Sequence, residues 1–411
     1  MEDKIPQSTI DSIAKHISER NTKSYNIPTV GNELNIETPQ IFEIIPFNEI
    51  DEGERKFYAI DGSINSHSFY NGVSVGLYRA GYVCFQSGKQ VRMNDLTDPL
   101  ILGKSYIPEN ILVIKQEHIE AIYDELLKLD PVKKFIDFLG GKPEDIFPFG
   151  REELCRSFSN VLSFCQEVLE WSLVYEILNR PDLCAGDFVL FDGDLRSLQI
   201  KQDAIVQLGK LVNEKKVFFV AITKNSPIKM ELSYTLRQID DYMQDKLKPQ
   251  YPFNEKDPKR QKLCCWFEVP GSVLMNAYGS SGGMFVRKAI KGGRGVGLFF
   301  AARLDYVEKL QNYDWVIADV NIFDAIPGIG SDVLDKDVEK LKIIFSELTR
   351  LTQEHYILGY PYPLVEAHNF VTLNSSFKDE IINRVKHSMY STQYMDNVDI
   401  ENMFLDIHSR F

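Results

Sequence analysis

Residues 187–195 read DFVLFDGDL: four consecutive apolar side chains, then an acid, a glycine and a second acid. A run this short and this apolar reads as a strand buried on both faces, and it is expected to stop at Asp192-Gly193. The pattern recurs upstream as FYAIDGS (57–63), where Asp61 stands at the expected strand end and Gly62 follows it. Glycine after each acid lets the backbone turn sharply, or lets another group approach closely. Two adjacent strands ending this way would place two carboxylates at one edge of a sheet, where open α/β sheets bind ligands.

Outward from these strands the pattern is strands first, then helices alternating with apolar strands. GVSVGLYRA and GYVCFQSG (72–88) read as two strands returning beside FYAID, with Gly81 near the turn between them. Helical spacing marks 8–20, 116–129, roughly 151–179 (with Pro181 just past its end), 198–213, 333–355 and 376–390. KVFFVAITKNS (216–226), VGLFFAARLD and WVIADVNIF are further strands, while 230–295 is the least regular stretch, an insertion whose charged segment LKPQYPFNEKDPKRQK and Gly-rich basic segment VRKAIKGGRGVG read as surface loops. The expected fold class is therefore α/β, a mixed sheet flanked by helices with inserted loops or a subdomain. No linker rich in Pro, Ser or Gly divides the chain. The expected organisation is an N-terminal helical or extended arm (1–50), one large domain (51–375) containing the insertion, and a C-terminal helical segment (376–411).

With 411 residues, 44% apolar and 26% charged, the chain can bury a sizeable core. Its formal net charge of −13 excludes a histone-like protein coated in positive charge, yet it suits a site that clusters carboxylates around divalent cations. Cys84, Cys155, Cys165, Cys184, Cys264 and Cys265 include no CxxC pair, so reduced thiols in an intracellular protein are expected. The N-terminus is polar, and no apolar run is long enough to span a bilayer. A cytoplasmic protein without membrane contact is expected.

Carboxylates brought close together repel unless a cation or a proton sits between them. Hard oxygen ligands select Mg²⁺ or Mn²⁺, ions that activate water and stabilise the leaving oxygen of a phosphodiester. Asp-Gly after a strand is also a common turn signal, and both readings stand for each acid taken alone. The string FDGDL further allows a haloacid-dehalogenase-like phosphatase, with Asp192 and Asp194 as nucleophile and acid, Thr223 at a strand end and Asp240-Asp241 as a later acidic pair. Against it, Arg196 replaces the expected small β-branched residue.

LGYPYPLVEAHNFVTL (358–373) is the most distinctive stretch. Pro361 and Pro363 flank Tyr362 and keep the backbone extended into the helix or turn that carries His368. An imidazole ligates a metal or handles a proton, and a tyrosine hydroxyl can contact a phosphate. His368 reads equally as a satisfied structural histidine.

Taken in order, AIDGS, a helical glutamate, LFDGDL, AITKNS and GYPYPLVEAH resemble the motif series of the NurA nuclease family, from about residue 57 to about 373. That resemblance implies a ribonuclease H-like fold, a homodimer with a central channel, and Mn²⁺-dependent cleavage of DNA. It also implies partnership with a HerA-type hexameric ATPase that translocates duplex DNA, in DNA end processing or phage defence. Residue by residue, Asp61 and Asp192 match the family's acids, His368 its final histidine and Tyr360 its tyrosine. Glu170, in LEWSLVYEIL, matches its helical glutamate, with Glu176 as the rival. Asp194 stands where the family has serine, so it joins the site or faces water.

On this reading Asp61, Glu170, Asp192 and His368 hold one or two Mn²⁺ or Mg²⁺ ions and Tyr360 completes the catalytic set. Lys224, following FFVAIT, is a candidate partner for the scissile phosphate, and Arg287, Lys288, Lys291 and Arg294 for the DNA backbone. Solvated surface charge is the alternative for each. A catalytically inactive scaffold subunit of an ATPase complex is the non-enzymatic alternative.

Overall fold

The computed structural model describes residues 42–43, 55–68, 74–107, 112–114, 125–141, 157–197, 200–223, 226–232, 236, 264–269, 273–274, 277, 297–305, 315–321, 333–353, 359–392 and 401. In chain order the strands are β1 (Phe42–Glu43), β2 (Lys56–Ser68), β3 (Ser74–Gln86), β4 (Lys89–Gln90), β5 (Gly103–Tyr106), β6 (Leu112–Ile114), β7 (Phe188–Asp192), β8 (Phe218–Thr223), β9 (Cys265–Glu268), β10 (Leu298–Arg303) and β11 (Trp315–Val320). The helices are α1 (Asp130–Phe138), α2 (Phe158–Leu178), α3 (Gln202–Lys215), α4 (Val333–Gln353), α5 (Tyr362–Val371) and α6 (Ser375–Thr392). The fold is mixed α/β. Two compact units form, one from residues 1–52 and 221–362, the other from 53–220 and 363–411.

In the second unit the strand order is β7–β2–β3–β4, with β5 and β6 also pairing with β3. β7 runs parallel to β2, from Phe57↔Phe188 to Ile60↔Phe191, and β3 runs antiparallel to β2 from Lys56↔Gln86 to Ser68↔Ser74. Two expectations are corrected here. Asp61 does not end its strand: β2 continues to Ser68, because only its parallel neighbour stops while its pairing with β3 persists. Gly81 is likewise not a turn but the midpoint of the single strand β3, opposite Asp61. Its missing side chain serves close approach, since a Cβ there would lie 2.7 Å from the Lys104 carbonyl oxygen and 2.8 Å from Ser105 Cβ on β5.

Helix α2 starts where the Ser157 side chain accepts the Asn160 backbone N–H at 3.1 Å, an N-cap that satisfies one orphan donor. It is apolar around most of its circumference, with Val161, Phe164, Val168, Trp171, Val174 and Ile177 all buried, which makes it a core helix and not a surface one. The Trp171 ring packs 5.5 Å from Phe191 and 6.0 Å edge-on from Phe219. Burying one ring of this kind stabilises by about 3 kcal/mol. A carboxylate on such a helix is drawn out of water with it.

The first unit is antiparallel in the order β1–β9–β10–β11. Trp266 of β9 stacks 4.9 Å from Phe345 of α4, whose ring also meets Phe300 of β10 at 5.8 Å. β9 lies within the irregular stretch 230–295, with Cys265, Trp266 and Phe267 fully buried, while the two segments read as surface loops (247–262 and 286–296) lie outside the described residues. The short run CCWFEV follows a charged segment, and long-range pairing with β10 decides its conformation. The 8–20 helix lies outside the described residues. None of Cys84, Cys165, Cys184, Cys264 and Cys265 is in a disulfide. Among the described residues no helix is long and apolar enough to cross a membrane.

Candidate active site

The parallel register of β2 and β7 sets the site. Its last pair is Ile60↔Phe191, so the next residue along each strand is an acid, Asp61 and Asp192. Gly193 then takes φ +134°, a conformation that side-chain-bearing residues rarely adopt, and the chain turns out of the sheet. β2 carries on past that point without its parallel neighbour. The opening lies beside Asp61.

Successive residues of a strand face opposite sides of the sheet, so Asp61 and Gly62 serve different neighbours. On the α2 side, a Cβ at Gly62 would collide with Glu170 Oε1 and lie 2.7 Å from Gln166 Cγ. Gly62 thus admits the helical acid to the strand and does not turn the chain. Glu170 is 6% exposed, and the Gln166 amide donates to its Oε1 at 2.9 Å. On the other side His368 Nδ1 donates to Asp61 Oδ2 at 2.7 Å, while the Gly62 N–H donates to Asp61 Oδ1 at 2.7 Å. Asp61 is 7% exposed, whereas the His368 side chain is 59% exposed.

The carboxylates sense one another. Burial pushes Asp61 up to about 6, with the Asp192 charge adding to the shift and the bonds from His368 and Gly62 opposing it. Burial holds Glu170 well above the usual carboxylate range. Gln166 opposes that rise, and the charges of Asp61, Glu167 and Asp192 reinforce it. Asp192 is half-buried, as is Asp194 two residues on. Among the described residues no group of three or more His, Cys, Asp or Glu side chains is placed to hold a metal ion. In chemistry the donors fit a hard cation, with carboxylates whose charges raise the proton affinity of Asp61 and Glu170 and an imidazole bonded to Asp61.

His368 owes its place to helix α5 and to a clamp just beyond it. The Leu373 N–H donates to Ser63 Oγ at 3.0 Å, and the Asn65 amide donates to the Leu373 carbonyl at 2.9 Å. Thr372 N–H closes back on the His368 carbonyl at 3.0 Å. Phe370 fits over Gly103, where a Cβ would come within 2.6 Å of the ring. Ser63 and Asn65 were missed in the sequence, although a signal was present. DGSINSH (61–67) alternates polar side chains at period two with Asp61, which marks one polar face of a strand.

The other candidates divide. Glu176, the rival helical acid, is fully engaged elsewhere: it accepts from Tyr82 and Tyr106 hydroxyls at 2.8 Å each and pairs with Lys104 at 2.8 Å. Tyr360 belongs to the first unit, where it is 1% exposed and its hydroxyl donates to the Ile222 carbonyl at 3.1 Å. Lys224, Arg287, Lys288, Lys291 and Arg294 lie outside the described residues, as does the Asp240-Asp241 pair of the phosphatase reading.

No protein-family model and no curated protein matches the chain. Among solved structures it is similar to the NurA nuclease from Sulfolobus solfataricus, at 14% identity and a TM-score of 0.42, over 95% of this chain and 96% of that one. The functional reading rests on the side chains described above and not on that likeness.

Proposed function

We propose that this protein is a divalent-metal-dependent DNA nuclease with a ribonuclease H-like core, and that Asp61, Glu170 and Asp192 hold Mn²⁺ or Mg²⁺. The observation that carries this reading is the electrostatic coupling of carboxylates near the end of β7: the Asp192 charge raises the proton affinity of Asp61, both raise that of Glu170, and His368 is bonded to Asp61. Bound there, such an ion supplies Lewis acidity toward a phosphodiester and its leaving oxygen. Asp61 orients the imidazole through Nδ1, which leaves Nε2 of the exposed ring to hold or move a proton, or to complete the cation's ligands. Burial of Asp61 and Glu170 keeps water from screening the negative charge that attracts the cation.

The motif series from AIDGS to GYPYPLVEAH supports the further reading of a NurA-type homodimer working with a HerA-type hexameric ATPase on DNA ends, in repair or phage defence. The test is incubation of linear duplex and single-stranded DNA with the full-length protein and Mn²⁺, beside the Asp61→Ala variant. Cleavage by the wild type, lost in the variant and on chelation, is expected. A wild type that leaves DNA intact but turns over a small phosphoester would replace the nuclease with a phosphatase. Inactivity on both, with retained binding to a hexameric ATPase, would make it a scaffold.

A further inference from the structure

Arg79 lies on β3 directly opposite Ser63, two residues from Gly81, which is opposite Asp61. Opposed residues of an antiparallel pair share a face, and Ser63 shares the face of Asp61 by the period of the strand. Arg79 therefore stands on the same side of the sheet as Asp61 and helix α5. Its Nε and Nη2 both donate to Ser105 Oγ, at 3.2 and 2.8 Å. Its guanidinium lies 5.2 Å over the ring of Phe370, two residues beyond His368.

Neither of these partners carries a charge. Arg180, also largely buried, shows the contrast: it pairs with Asp182 at 2.9 Å and Asp95 at 3.0 Å. Arg350 pairs with Glu347 at 3.1 Å. Among the described residues Arg79 is in no ion pair. Burial lowers its proton affinity with no carboxylate to oppose it. A guanidinium keeps its charge in a protein, so a half-buried one without a counter-charge is costly until an anion arrives. Meanwhile the Ser105 hydroxyl and the Phe370 ring fix the plane of the fork and leave its remaining N–H donors unassigned. This is a preorganised anion-binding group, held against the helix that also carries His368.

We propose that Arg79 binds a phosphate oxyanion of the nucleic-acid backbone beside Asp61 and His368. The assignment rests on the nuclease reading and names the group that grips the substrate there. The backbone phosphate is matched by planar donors in a fixed fork, and its release of counterions gives a specific readout.

The test measures binding of a labelled single-stranded oligonucleotide to the full-length protein, with chelator present to prevent cleavage, across a salt series. Arg79→Met keeps an apolar stem against Phe370 and removes the charge; Arg79→Lys keeps the charge. Arg79→Met should bind about 10-fold more weakly at low salt. The slope of log affinity against log salt should fall by about 0.7, the contribution of one phosphate contact on a single strand. Arg79→Lys should keep the wild-type slope, and thermal melting should show both variants folded. A purely structural arginine would change melting and leave the slope alone, and that result overturns the proposal. Should Arg79→Met not fold, phenylglyoxal labelling of the wild type decides: bound oligonucleotide should slow modification of Arg79, and an unchanged rate overturns the assignment. A wild type that neither binds nor cleaves DNA would sink the nuclease reading itself. Cleavage with an unaltered slope in Arg79→Met would sink only this one.

Discussion

Glu170 and Glu176 sit six residues apart on the same core helix, and their surroundings are opposite. Glu176 is compensated on both oxygens, by the Tyr82 hydroxyl and Lys104 on one and the Tyr106 hydroxyl on the other. Close by, Arg180 is tied to Asp95 and Asp182. Glu170 receives one neutral amide, from Gln166, and otherwise feels the charges of Asp61, Glu167 and Asp192. A carboxylate whose task is to hold a fold together is given donors and cations. One kept buried among other carboxylates is held at a cost that the rest of the fold offsets, and such groups concentrate where a cation or proton is to be handled.

The largest expected effect comes from exchanging the two acids for amides. Glu170→Gln should lower DNA cleavage by about 1000-fold or more, a loss of about 4 kcal/mol at the transition state, while raising stability by relieving like-charge repulsion. Glu176→Gln should leave the rate per folded molecule within about threefold, since no transition-state contact of more than about 0.7 kcal/mol is removed. Cleavage kinetics with Mn²⁺ read both, and equal losses would erase the contrast. In stability the order reverses. Glu176→Ala strands Lys104 and two buried hydroxyls and should cost about 3 kcal/mol in urea unfolding.

A smaller effect appears with pH. The folded value of Asp61 is raised to about 6, so the folded state holds its proton more tightly than the unfolded chain does. Stability of the metal-free protein is therefore full at acid pH and is lost as pH rises from about 4 to about 6. Asp61→Asn should exceed the wild type by about 3 kcal/mol at pH 7, and the gap should close on acidification. A gap independent of pH would show that burial and the Asp192 charge do not raise the proton affinity of Asp61. The smallest effect is expected at the clamp: Asn65→Ala removes one hydrogen bond to Leu373, worth about 1 kcal/mol. It should slow cleavage about fivefold by loosening His368, with kcat reduced more than KM raised.

Apolar patterning made most elements legible. FVLF, FFVAIT and LFFAAR could only be buried strands, and α2 and α4 announced themselves by length and spacing. The same local signals misled where glycine was concerned. Gly62 and Gly81 look like turn residues, yet both lie within long strands, where the absent side chain makes room for Glu170 and for β5. A glycine needed for a backbone angle and a glycine needed for space look identical in sequence, and of Gly62, Gly81 and Gly193 the last, with its positive φ, was of the first kind. β9 was hidden behind the charged segment that precedes it, because a four-residue strand is stabilised by its partners, not by its own composition.

By itself the chain of residues determined which side chains could do chemistry: two acids each followed by glycine, a glutamate on an apolar helix, and a histidine after a proline-bracketed tyrosine. That information is local, because strand and helix periods are set by backbone geometry. The tertiary structure decided which of those groups meet. Parallel register brought Asp61 level with Asp192, Gly62 admitted Glu170 while Tyr82, Tyr106 and Lys104 claimed Glu176, and the Leu373 clamp set His368 on Asp61. Hydrogen bonding and Coulomb interaction act over a few ångströms of space, whatever the separation along the chain, so partnership between distant residues is fixed only once the chain has folded.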